Sequence, residues 1–297
     1  MSLALPADLE RAAAPDSGRF GILRQLLFGT PGSTIATGAL ALLAIAVTIG
    51  PLAWGKNPTT LNILNALQAP SWAHPMGTDE NGRDVFARFL AGGWLSLIAA
   101  LLVAVSAALV GGLLGVIAGF VGGIVDAVIG RFMDAILAFP ALLLAVAVTV
   151  GLGAGVWTAA LGILLGAIPW YALLLRSDTL RVRNRAYIEA ARALGARRAL
   201  LVRRHIIPHV MPTLLVQFAA VFGYAVLMLA GLGFIGLGAQ PPTAEWGSMI
   251  AEGLQYTLTG QWWIGVFPGL GVFIAACATA VLADQMAKVL DPRRTEG

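Results

Sequence analysis

Apolar runs and polar breaks divide the chain into six long hydrophobic segments, residues 35–54, 94–120, 126–150, 156–175, 213–237 and 262–283. Crossing a bilayer takes about 20 apolar residues, so each run is long enough to span one. The runs are apolar on every side rather than alternating, and an isolated segment in lipid satisfies its own backbone only as a helix. The pattern predicts an all-α polytopic membrane protein with six transmembrane helices. Thr30-Pro31-Gly32-Ser33 predicts the start of the first helix, and Gly151 to Gly155 predicts a hairpin turn between the third and fourth. The organisation expected is a tail at 1–34, a first span at 35–54, a polar segment at 55–92, a core unit at 93–285 and a second tail at 286–297. Within the core unit, 176–212 and 238–260 are the polar loops. Phe20, Leu23, Leu26 and Leu27 recur at helical spacing, which predicts a short amphipathic helix in the first tail.

Composition strengthens this picture. The chain is 58% hydrophobic and 11% charged, against roughly a quarter charged in soluble domains. Its charges are also segregated. Nine of the 19 lysines and arginines fall between Arg176 and Arg204, while the outer-facing candidates are Lys56, Arg83 and Arg88. Excess basic residues mark cytoplasmic loops, so both ends of the chain and the arginine-rich loop are expected on the cytoplasmic side. The net charge of +4 is then a matter of topology rather than of nucleic-acid binding. Trp54, Trp94, Trp157, Trp262 and Trp263 fall near the outer ends of spans, as an interfacial aromatic belt would. Gly111, Gly115, Gly119 and Gly123 line up at four-residue spacing and predict close helix packing.

Several chemistries are missing. The chain has no G-x-x-x-x-G-K-[ST] phosphate loop and no H-E-x-x-H. A lone Cys277 allows no intrachain disulfide. His205 and His209 stand four apart, but Pro208 between them predicts a helix break and no third metal ligand is near. The spans hold almost no charge: Asp126, Arg131, Asp134 and Asp284 fall at their ends, with Arg131–Asp134 and Asp284–Lys288 spaced to pair. Proton relays and active-site clusters therefore have no mid-membrane candidates. An ion-coupled transporter would also want a broken helix pair in two related halves, and a membrane enzyme would want clustered nucleophile, base or ligand residues.

The arginine-rich loop reads as two short helices. Tyr187 to Leu194 is strong helix material, Gly195 suits a sharp helix end, and a second run from Ala196 stops before Pro208. A basic loop that only sets topology and binds anionic lipid would explain the arginines. It would not explain Glu189-Ala190-Ala191 followed by Gly195.

That spacing, "EAARALG", nine residues and "HIIP", resembles the E-A-A-x-x-x-G-(nine)-I-x-L-P loop of membrane subunits of ATP-binding-cassette importers. "HPMGTDENGRDVFARFLAGG" (74–93), "GLGFIGLGAQPPTAEWGSMI" (231–250), "FPGL" (267–270) and "LDPR" (290–293) are similar to the dipeptide, oligopeptide and nickel branch, and among it to the second permease subunit. Arg197-Arg198 departs from the small or acidic residues usual after the glycine. The resemblance implies a type I importer permease (MetI-like) fold in the bacterial inner membrane, with no catalysis and no cofactor in this chain. It implies a second homologous permease, two ATP-binding subunits that hold ATP and magnesium, a periplasmic or lipoprotein binding protein, membrane lipid around the spans and no nucleic acid. The coupling contact to the ATPase would be made by Ala186, Tyr187, Ile188, Glu189, Ala190, Ala191, Leu194 and Gly195, with Pro208 closing the motif. The binding protein would dock near Thr78, Asp79, Asn81, Arg83 and Trp246, where local scaffolding is the competing role. In the same segment, Thr78, Asp79 and Asn81 are expected to cap the helix near Arg83, and Asp84 to pair with Arg88. Peptides are the expected cargo, with nickel, glutathione or another small solute as alternatives. Ser96, Ser106, Thr149, Gln217 and Tyr224 are candidate path residues.

Overall fold

A computed structural model describes residues 19–290 as a helical bundle. Its elements are α1 (Arg19–Phe28), α2 (Pro31–Trp54), α3 (Val85–Val121), α4 (Gly123–Leu137), α5 (Ala141–Leu152), α6 (Val156–Arg183), α7 (Ala186–Ala193), α8 (Arg198–Leu201), α9 (Ile207–Phe234), α10 (Trp246–Thr257) and α11 (Trp263–Leu290). Among the described residues, five helical stretches are long and apolar enough to cross a membrane: α2, α3, α6, the run Arg198–Phe234 and α11.

The expected third span is not one helix. It is α4 and α5, which meet at 84°, and counting the pair as one span gives six. The break falls at Pro140, whose ring pushes Phe139 out of helical geometry. The second span starts at Val85 rather than at residue 94, because Arg88 enters the helix as a buried, ion-paired charge. Pro208 also fails to stop its helix. Val202–Ile206 winds as a π-helix in which the Ile207 N–H reaches the Val202 carbonyl, and Pro208 follows in the first turn of α9, where the wider π turn before it accommodates the ring and the missing N–H. His205 and His209 therefore share one continuous run instead of flanking a break.

α3 runs through the centre, packed along α6 and against α9. α11 packs on α9 and α2, and α10 lies across α9 and α11. The glycine spacing in α3 is what lets α6 approach. A Cβ on Gly111 would lie 2.5 Å from the Ile168 carbonyl, on Gly115 2.5 Å from that of Ala172, and on Gly119 2.8 Å from that of Arg176. Gly123 does not belong to this stripe. It begins α4 after a turn at Gly122, with open space beside it.

The expected first-tail helix is α1. It folds back on the bundle, with Leu26 buried, Thr37 Oγ1 donating to the Leu27 carbonyl at 2.9 Å and Gln285 Nε2 to that of Gln25 at 3.2 Å. Arg11 and the Asp291–Arg294 end lie outside the described residues. Of the expected aromatic belt, Trp94, Trp157 and Trp262 are exposed, whereas Trp263 is buried and its indole N–H donates to the Thr78 carbonyl at 3.1 Å.

Candidate functional sites at the two ends of the bundle

The arginine-rich end carries α7, which packs on α6 and on the segment 198–206 that leads into α9. Its anchor is Ile188, fully buried in a cluster with Val182, Leu201, Ile206 and Val210. The Tyr187 ring packs against His205, centroids 5.6 Å apart. The Arg192 guanidinium lies 5.3 Å above the Phe120 ring, and Arg183 Nη1 donates to the Gly119 carbonyl at 3.1 Å. Two arginines thus grip the C-terminal end of α3, where free carbonyls favour cations.

Gly195 ends α7 as its sequence position suggests. Its φ is +84°, the Ala196 N–H reaches the Ala191 carbonyl at 3.0 Å, and the Gly195 N–H that of Arg192 at 2.9 Å. This pair of bonds is the Schellman closure. The rest of the helix faces outward: Ala186, Tyr187, Glu189, Ala190 and Gly195 are exposed and Leu194 is 89% exposed. Ala191 is half-buried and Pro208 is exposed. Glu189 makes no ion pair among the described residues. The expected coupling residues thus share one helix and its cap, with Ile188 as the inward anchor and Pro208 farther along the chain at the start of α9.

Charges nearby tie helices together. Arg176 holds Asp126 with both Nε and Nη2, the latter at 2.7 Å, which joins α4 to α6. Arg131 and Asp134 do not pair among the described residues, whereas Lys288 and Asp284 do, at 2.5 Å. Thr213 Oγ1 donates to Asp178 Oδ2 at 2.5 Å, which links α6 to α9.

At the opposite end, residues 55–84 wrap the start of α3. Asp84 caps α3 by accepting the Ala87 N–H at 2.8 Å, so the cap is Asp84 and not Thr78, Asp79 or Asn81. Its partners are Lys56 at 3.1 Å and His74 at 2.7 Å; the expected pairing with Arg88 is absent. Burial works to raise the Asp84 pKa, but the Ala87 N–H, Lys56 and His74 together hold it below its ordinary value. Arg88, 1% exposed, instead reaches Glu252 on α10 at 2.9 Å and Asp79 at 3.4 Å. Arg83 joins with Asp79 at 2.6 Å and Glu80 at 3.1 Å. Burial pushes the Glu252 carboxyl up, against the pull of Arg88 and Arg83. Asp79, Glu80 and Glu252 bring carboxylate oxygens within 4.8 Å of one another, but the two guanidinium groups already occupy that cluster.

Thr78, Asp79, Arg83 and Trp246 are buried and Asn81 is half-buried. Within this chain they brace the loops. Trp246 Nε1 donates to the Phe89 carbonyl at 3.0 Å and its ring stacks on Phe89. Thr78 Oγ1 bridges the Asn65 carbonyl and the Gln68 N–H. The outward surface is carried instead by Leu64 and Trp72, both essentially fully exposed, which periodicity alone does not single out.

Glu245 is a further residue the apolar pattern hides. It is 1% exposed and caps α10 through the Gly247 N–H at 2.9 Å and the Ser248 N–H at 3.2 Å. Burial pushes its pKa up, and N–H bonds from Gly247, Ser248 and Ala239 pull against that. A Cβ on Gly233, Gly238 or Gly247 would come within 2.2, 2.6 or 2.9 Å of a carboxylate oxygen. The glycine-rich stretch is a cradle for this one side chain, and the isolated acidic residue in a glycine-rich run was the available signal.

The family described as binding-protein-dependent transport system inner membrane component matches residues 111–296. The probable D,D-dipeptide transport system permease protein DdpC of Escherichia coli is 40% identical over 90% of both chains. The dipeptide transport system permease protein DppC of the same organism is 44% identical over 76% of this chain and 77% of its own, and that of Alkalihalophilus pseudofirmus is 34% identical over 97% and 93%. A chain of the MetNI methionine ABC transporter, solved in inward-facing conformations, shares the fold at a TM-score of 0.55 and 20% identity, over 68% of this chain and 95% of that one. The chain belongs to the family of multi-pass inner-membrane permease components of binding-protein-dependent transport systems.

Proposed function

We propose that this chain is one of two permease subunits of an importer for small peptides, moved by separate ATP-hydrolysing subunits. The observation that carries the coupling role is α7: a short helix anchored by one buried residue, Ile188, with its remaining surface free and a sharp stop at Gly195. A short helix packed on α6 and on the turn that leads into α9 can pass displacement to both. Its exposed Tyr187, Glu189, Ala190 and Leu194 suit a groove on an ATPase subunit. The clustered arginines support a cytoplasmic side for this end. Peptide as cargo follows from the relatives named for dipeptide transport.

At the other end, the apolar surface around Leu64 and Trp72 suits the substrate-binding protein, and the buried Asp79–Arg83–Arg88–Glu252 cluster holds it in place. The test is gentle purification from membranes followed by reconstitution. Two ATPase subunits and a second permease should co-purify, and vesicles holding the complex and the binding protein should accumulate dipeptide only with ATP. Uptake that survives ATP depletion and collapses with an uncoupler would contradict this reading.

A further inference from the structure

Between α6 and α9 two cavities meet at a shared residue, Gln217. The inner one, about 170 Å³, is lined by Trp170, Gln217 and Tyr224 among smaller side chains. Trp170 and Tyr224 are both exposed in this chain, at 58% and 40%. The three supply an indole N–H, a carboxamide and a phenol on facing helices within otherwise apolar spans. The outer one, about 720 Å³, opens at the arginine-rich end and is lined by Asp178, Arg181, Arg185 and His209, a size within the range of small-molecule sites. Asp178 is steadied by Thr213 at 2.5 Å and has Arg181 at 3.6 Å.

We propose that this groove is the chain's own share of the cargo path: Trp170, Tyr224 and Gln217 form a polar ladder along it, and its charged mouth fits a small zwitterionic peptide. The inference deepens the importer reading and rests on it. Polar groups facing an open groove inside apolar helices need partners, and a peptide backbone offers donors and acceptors for all three. The mouth carries both signs of charge, an acceptor for an α-ammonium at Asp178 and donors for a terminal carboxylate at Arg181 and Arg185.

The test uses the assembled transporter in vesicles. Cys277→Ser is combined with Gln217→Cys, Ala220→Cys or, as a control at a site 99% exposed between α10 and α11, Leu258→Cys. A charged methanethiosulfonate reagent is applied during ATP-driven turnover, with and without saturating free dipeptide. Dipeptide should slow modification at positions 217 and 220 several-fold and leave position 258 unchanged. Asp178→Asn and Arg185→Gln should each lower dipeptide uptake several-fold. Equal modification rates with and without dipeptide, in vesicles whose wild-type complex accumulates that dipeptide, would overturn the groove assignment alone. Unchanged uptake in both charge variants would overturn the role of the mouth. Wild-type vesicles that accumulate no dipeptide would overturn the importer reading and this inference with it.

Discussion

The carboxylate of Glu245 occupies the space that a side chain on Gly233 would need: a Cβ there would lie 2.2 Å from Glu245 Oε2. The end of α9 and the start of α10 are thereby locked to each other. Gly233→Ala must displace the carboxylate from its N–H donors or push the helices apart. The expected loss is about 1–3 kcal/mol, read as a lower unfolding temperature in detergent. Glu245→Ala should also destabilise, by about 1–2 kcal/mol for the lost cap, and the double variant should lose less than the sum of the two.

Arg176 and Asp126 join α4 to α6 by a two-pronged contact at a partly exposed site. Either single neutral substitution should loosen α4. A double-mutant cycle through Asp126→Asn and Arg176→Gln should return a coupling energy of about 0.2–1 kcal/mol, measured by thermal unfolding. A coupling of zero would show the contact to be energetically idle.

Asp84 makes the outer segment sensitive to acid. Its folded-state pKa lies below the ordinary 3.8, so the native state holds the ionised form more tightly than the unfolded chain does. That contribution is complete above 3.8 and is lost as pH falls through the folded value. Hydrogen exchange across residues 56–84 should therefore show openings that rise at acid pH in the wild type. In Asp84→Asn the loop should be loosened already at neutral pH, with a weaker acid response.

Gly195 holds φ at +84°, where an L side chain is strained by roughly 1–2 kcal/mol. Gly195→Val should fray the end of α7 and turn Leu194 away. The chain should still insert and assemble its spans, while ATP-driven uptake falls at least several-fold. Normal uptake by this variant would remove the need for a sharp stop.

Much of this was legible before any coordinates. Long apolar runs set the spans because lipid leaves a lone segment no other way to satisfy its backbone. Gly195 ended α7 because few residues tolerate its backbone conformation, and Gly111, Gly115 and Gly119 marked the α3–α6 contact. Local rules failed where distant segments meet. Asp84 takes Lys56 and His74, and Arg88 takes Glu252, because loop closure brings those groups nearer than the i,i+4 neighbour. Trp263 looked interfacial by position, but it buries its ring and finds the Thr78 carbonyl. Pro208 looked like a stop, and a π turn upstream absorbed it. Pro140 was a break that the hydrophobic run concealed.

The central claim is that the free surface of α7 meets the ATPase. A photo-reactive amino acid placed at Leu194, and in a separate chain at Ile235, which is exposed just past the end of α9, tests it directly in the assembled transporter. Illumination should join position 194 to an ATPase subunit and leave position 235 without that adduct. Adducts to the ATPase from position 235, or none from position 194 in a complex that still imports, would contradict the account.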